Sequence, residues 1–176
     1  MLSAPITVEP PTVDVMELAA LKLFLRIDGD ELDGEVQDYL NAVVADVERM
    51  TSTRLADQVV ELQADRFADL DHLTIGQVNE VAQVRYQNSA GAETILSADA
   101  YELFGAGLEK GIRPSFGHSW PATRSGSGVI AVQLAVGYGE NLPPSIALAL
   151  KQAVRSRFDG TAFDLSAATV NDRIWA

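Results

Sequence analysis

Hydrophobic positions along this chain recur with two different periods, and the switch between them divides it. Across residues 32–50 the period is helical: Leu32, Val36, Tyr39, Leu40, Val43, Val47 and Met50 step by three or four, while Glu35, Asp38, Asp46, Glu48 and Arg49 lie mostly off that stripe. Such a stripe is the buried face of a helix, which Thr51-Ser52-Thr53 closes. A shorter helix precedes it, with Val15, Leu18, Leu21 or Lys22, and Leu25 along one side and Asp14 with Glu17 as a capping box. Asp28-Gly29-Asp30 forms the turn between the two, and its aspartates suit the cap of the second helix. Residues 1–13 hold Pro5, Pro10 and Pro11 and read as an extended arm.

From Gln58 the period falls to two. Val60, Leu62 and Ala64 alternate with Val59, Glu61 and Gln63, and Val81–Tyr86 and Tyr101–Phe104 suggest further short strands. Turn-rich pieces separate them: Asn88–Gly91, Gly105–Gly107 and Arg124–Gly128. The alternation is clearest in Val129–Tyr138, where Ile130, Val132, Leu134, Val136 and Tyr138 share one face. The strand then meets Gly137 and Gly139, which suit a sharp corner, and Pro143 and Pro144, which suit the first turn of a helix. Ile146, Leu150, Ala153, Val154 and Phe158 continue at helical spacing. The expected fold is therefore α+β: a small helical bundle of two N-terminal helices plus a C-terminal helix, with a β-rich insertion between helices 2 and 3. Its parts are an arm and helices 1–2 over 1–57, the insertion over 58–138, the C-terminal helix over 139–160 and a tail over 161–176. Leu40, Val43, Val47, Leu150 and Val154 are the expected bundle core.

Composition changes this picture in one respect. The chain carries a formal charge of −12, with 12 acidic and 4 basic residues in positions 1–60, 9 and 5 in 61–139, and 4 and 4 in 140–176. An acidic surface of this kind does not grip nucleic acid, because phosphate affinity comes from clustered Lys and Arg. It serves solubility, or it repels DNA that must slide past; charge alone leaves both open. The absence of cysteine excludes disulfides and thiolate metal sites, no apolar run is long enough to span a bilayer, and Met1 to Pro11 lacks the features of a signal peptide. The chain reads as cytoplasmic at synthesis.

Candidate chemistry is sparse. Asp69, Asp71 and His72 cluster locally, but the spacing fits no metal-ligand motif and a solvated loop accounts for them. His118-Ser119 lacks a nucleophile elbow, so an aromatic loop with Trp120 packed on the module is the better reading. Asp28, Asp30 and Asp33 start like a calcium loop, yet Leu32 stands where an oxygen ligand belongs. Gly105–Gly111 lacks the Gly-Lys-Ser/Thr ending of a phosphate loop. Neither an enzyme nor a cofactor is expected.

Three separated segments together resemble the head–tail connector (adaptor, or head completion) proteins of long-tailed phages and gene transfer agents. They are Leu18–Ile27, with its Lys-x-x-Leu-Arg-Ile ending; Leu32-Asp33, Tyr39-Leu40, Ala42, Ala45, Val47-Glu48, Thr51 and Leu55; and the strand into Gly137-Tyr138-Gly139 followed by Leu142-Pro143-Pro144-Ser145-Ile146 and Ala149. Trp120-Pro121 is similar to a Trp-Pro pair in that family's inserted module. The resemblance implies a non-enzymatic virion subunit in the neck of the particle, made in the host cytoplasm. It implies a homo-oligomeric ring, expected to be a dodecamer, that sits under the portal protein, extends the DNA channel and docks stopper or tail-terminator proteins. DNA would pass through without specific binding. No membrane is involved.

Within that reading Gly137, Gly139, Pro143 and Pro144 are architectural, fixing the direction of the C-terminal helix. Glu35, Asp38 and Asp46 are candidates to face the channel or a neighbouring subunit. The tail at Arg173, Ile174 and Trp175 is a candidate portal anchor, since Trp and Arg are favoured in binding hot spots; a frayed terminus or a tail folded on its own domain is the competing reading. From a different class, a small-ligand or carbohydrate-binding β module with helical flanks would use Trp120, Tyr86 and Tyr101 as its lining.

Overall fold

The computed structural model describes residues 1–174. Its elements run in the order β1 (Ile6–Glu9), α1 (Leu18–Leu25), α2 (Asp33–Thr51), β2 (Gln58–Ala64), β3 (Val78–Gln87), β4 (Glu93–Ile95), β5 (Tyr101–Ala106), β6 (Glu109–Pro114), β7 (Ile130–Val136), α3 (Pro144–Asp159) and the single turn α4 (Leu165–Ala168). Short 3₁₀ turns, such as Phe67–Asp71 and Gly139–Asn141, lie between them.

The expectation of a three-helix bundle holding a β insertion is overturned. A five-stranded antiparallel sheet, ordered β1-β2-β7-β3-β4, forms one body, with a separate β5-β6 hairpin against it. The arm supplies the first strand of this sheet, ahead of any helix, so the β structure is not confined to a segment between helices. Prolines flank that strand at Pro5 and Pro10, a pattern that a sheet edge tolerates because the missing N–H faces away from the ladder. The helical part is likewise short of a bundle. α1 spans only eight residues, and α4 only four.

The described residues form two distinct apolar cores. The helical core joins Leu21, Val36, Leu40, Val43 and Val47 to Ile146, Ala149, Leu150, Ala153 and Val154. Leu40, Val43, Val47, Leu150 and Val154 are all buried, as their spacing predicts. The sheet core joins Val60, Leu62 and Ala64 of β2 to Ile130, Val132, Leu134 and Val136 of β7, and to Phe67, Leu70 and Ile112. Burial along β7 alternates strictly between buried and half-buried, the mark of a sheet with one apolar face. Its other face is polar: Arg85 pairs with Glu61 at 2.5 Å, and Gln133 donates to the same carboxylate at 3.1 Å.

Both expected caps are absent. Glu17 is the N-cap of α1 in an extended conformation without a side-chain hydrogen bond, so Asp14 and Glu17 form no capping box. Leu32 stands at the N-cap of α2, again without a side-chain bond. Asp30 and Asp33 instead turn towards Lys22, at 2.8 and 2.5 Å, tying α1 to the start of α2. An ammonium with two carboxylates in reach competes successfully with a helix terminus for the same oxygens.

Candidate functional site: the seam between sheet and helices

With two separate cores, the polar seam joining them decides how the helical body sits on the sheet. It is built where three pieces of chain cross. Thr51 and Thr53, both buried at the end of α2, share a hydroxyl–hydroxyl bond of 2.7 Å, and Thr51 Oγ1 also donates to the Val47 carbonyl at 2.8 Å. Beside them, Arg54 N–H donates to Gly76 O at 2.7 Å and Gly76 N–H to Ser52 O at 3.0 Å. Glu48 accepts the Leu55 N–H at 2.9 Å, and Arg54 stands 3.9 Å from the same carboxyl. Burial pushes the Glu48 carboxyl up from its ordinary value, against the lowering pull of that N–H bond and of Arg54. Sequence reasoning missed Glu48 and the two threonines. Their polarity placed them off the apolar stripe, and nothing local marks a polar side chain that is covered by segments brought to it in folding.

The third crossing is the glycine corner. Gly137 has a φ of +127°, and a Cβ there would meet Ala56 O and the Asp57 backbone at 2.6 Å. Its N–H donates to Gln77 O at 2.9 Å, and its carbonyl accepts the Asn79 side-chain amide at 2.8 Å. Tyr138 N–H donates to Leu55 O at 3.1 Å while its ring joins the helical core. Gly139, with a φ of +52°, carries the chain past the Asp57 carboxyl, 2.8 Å from where its Cβ would stand. Pro143 then takes the N-cap and Pro144 the first position of α3. The four corner residues thus fall on the path that leads from sheet to helix.

The remaining candidates separate from one another. Asp46 turns inward, pairing with Arg49 at 2.5 Å and with Arg157 of α3. The Arg49 hydrogen bond, then Arg157, holds its carboxyl below the ordinary carboxylate range. Glu35 and Asp38 are exposed, and Glu35 accepts the Tyr39 hydroxyl at 3.0 Å. Ile174 is 8% exposed; its N–H donates to Thr51 O at 3.0 Å, and its side chain lies beside Gly76. Arg173 is half-buried, and Trp175 lies outside the described residues.

His72, His118 and Ser119 are exposed, and among the described residues no three His, Cys, Asp or Glu side chains are grouped to hold a metal ion. The aromatic residues proposed as a ligand platform pack inward. Trp120 stacks on Phe67 at 4.5 Å and 7°, Tyr86 meets the same ring edge-on at 5.8 Å, and Tyr101 is buried. Among the described residues no helix is long and apolar enough to cross a membrane.

Two open clefts lie beside the arm. One of about 470 Å³ is lined by Pro5, Thr7, Glu48, Arg49, Arg54 and Ile75, and another of about 340 Å³ by Thr7, Pro10, Val13, Leu40, Val44 and Glu48.

None of the curated proteins matches this chain in sequence. Solved structures do match its fold. A chain in "Neck of empty GTA particle computed with C6 symmetry" superposes with a TM-score of 0.82 at 21% identity, covering 99% of this chain and 97% of that one. One in "Virion of native gene transfer agent (GTA) particle" gives 0.78 at 22%, with the same coverages of 99% and 97%. One in "Neck of native GTA particle computed with C12 symmetry" gives 0.68 at 22%, covering 96% of each. At these identities the likeness establishes the fold. The family model described as "Phage gp6-like head-tail connector protein" matches residues 15–103, from the approach to α1 through both helices and the first strands into β5. By that match over half of its length, the chain belongs to the phage head–tail connector family, whose members are structural proteins of the virion.

Proposed function

We propose that the chain is the connector subunit of a phage-like particle's neck: a ring-forming, non-enzymatic protein under the portal that continues the DNA channel and docks stopper or tail components. The observation that carries this reading is the family match over residues 15–103. The fold shared with chains of gene transfer agent neck structures described with sixfold and twelvefold symmetry supports a ring in the same place. A ring needs a protomer whose parts hold their relative angle, since small errors per subunit accumulate around the circle. The seam of Thr51, Thr53, Gly76 and Gly137 supplies that rigidity, and the corner residues Gly137, Gly139, Pro143 and Pro144 set how α3 leaves the sheet.

Charge fits passage of DNA better than binding of it. With a net −12 and exposed Glu35 and Asp38 on α2, a lining built from this helix would offer phosphates no counter-charge to settle on. Asp46 belongs to the protomer's own α2–α3 contact and contributes less to such a lining. Arg173, Ile174 and Trp175 stay in the proposal as a portal anchor, with release of Ile174 from beside Gly76 as its first step.

Removing the chain from its producing cell tests the role. Filled heads and complete tails that stay unjoined, and join again when the chain is restored, are expected. Normally joined particles in its absence would refute a connector.

A further inference from the structure

We propose that the N-terminal arm is exchanged between neighbours in the ring, residues 1–9 of one copy completing the sheet of the next along β2. This rests on the ring reading above and adds what closes each contact.

The arm is attached to β2 chiefly by backbone, with polar links from the Met1 ammonium to Asp65 and Asp69, from Gln63 N–H to Ser3 Oγ and from Thr7 Oγ1 to Gln58, and it has little apolar packing. Ile6, Thr7 and Glu9 oppose Glu61, Val60 and Val59, Leu2 bridges to Ala64, and Ser3 N–H donates to Gln63 O at 2.8 Å. All four residues of β1 are exposed; Leu2, half-buried, is the arm residue that packs on the sheet core. The clefts of about 470 and 340 Å³ leave the space between arm and α2 largely open. So the arm is held by a ladder that any copy's arm reproduces, with little private packing to lose.

The strand it covers cannot stay bare. Val60, Leu62 and Ala64 of β2 are fully buried, and without β1 this apolar strand would present a row of unpaired N–H and C=O groups. The join to α1 also favours exchange. Residues 10–13 are all exposed, Pro10 and Pro11 keep that stretch extended, and residues 10–15 span up to about 20 Å when extended. A head-to-tail ring gives each subunit one donated and one received arm, and swapping an identical element adds linkage between subunits while conserving every hydrogen bond of the ladder.

Because the chain has no cysteine, paired thiols read the exchange directly. The variant Ser3→Cys/Gln63→Cys places two thiols opposite each other across the ladder; Glu9→Cys/Val59→Cys does so at its far end. Each is assembled under reducing conditions, sized by light scattering, and oxidised only after rings are isolated, alone or on portal. Exchange predicts a ladder of covalent dimers and larger species on denaturing electrophoresis, collapsing with reductant. Rings that yield only monomers closed by an internal disulfide, or free thiols in both variants, would overturn exchange and leave the ring intact. Failure to find any ring by size would count against both.

Discussion

Gly137 has little freedom to change. Alanine there would be driven into the Ala56–Asp57 backbone in a left-handed conformation, and Gly137→Ala should cost about 2 kcal/mol or more in urea unfolding. Gly34, in the first turn of α2 with open space around it, behaves oppositely: Gly34→Ala should be neutral or stabilising by up to about 1 kcal/mol. Two carboxyls give the chain opposite pH responses. The Asp46 carboxyl is lowered in the fold from 3.8, so its stabilisation is complete above that value and drains as pH falls through the depressed one. Glu48 is raised from 4.5, so its unfolded form ionises first and stability is lost as pH climbs from about 4.5 through the folded value. Unfolding Glu48→Gln alongside the parent across pH 4–8 checks the second: the variant, keeping an acceptor for Leu55 N–H, should gain relative stability as pH rises. A constant difference would show that burial does not penalise the charge.

At the level of elements, the apolar patterns of α2, β2 and β7 were legible because each buries one face along its whole length, so the period survives in the sequence. β1, β4 and β6 were not. β1 and β4 are edge strands whose outward residues carry no burial signal, and in β6 only Gly111 and Ile112 are buried among charges. The expected cap at Asp30 misled because its carboxylate pairs with Lys22, a choice made by three-dimensional proximity. For the tail, Ile174→Ala should cost about 2–4 kcal/mol, the usual effect of emptying a buried isoleucine site, measured by chemical unfolding. Deleting residues 170–176 should both destabilise the chain and weaken binding to portal; unchanged portal binding would confine the tail to an internal role. Of the site, the glycine and proline corner was visible in sequence through backbone chemistry alone. Glu48, Thr51 and Thr53 were hidden, since their significance comes from Leu55, Gly76 and Ile174, which are brought to them by folding.

For the molecule as a whole, two apolar cores meet at a seam of backbone bonds, and that division has a mechanical meaning. The helical body and the sheet body can each present a surface to a different neighbour while the seam fixes the angle between them. Family membership supplies the context in which this matters, a connection between head and tail. Acidic charge and inward-packed aromatic rings both suit a part that assembles. The most direct test is to image the purified chain bound to the portal of its own particle by electron cryomicroscopy. A closed ring coaxial with portal, its lumen continuous with the portal channel and lined in part by α2, is the predicted result. A chain that stays monomeric beside portal, or that attaches without closing a ring, would contradict the account.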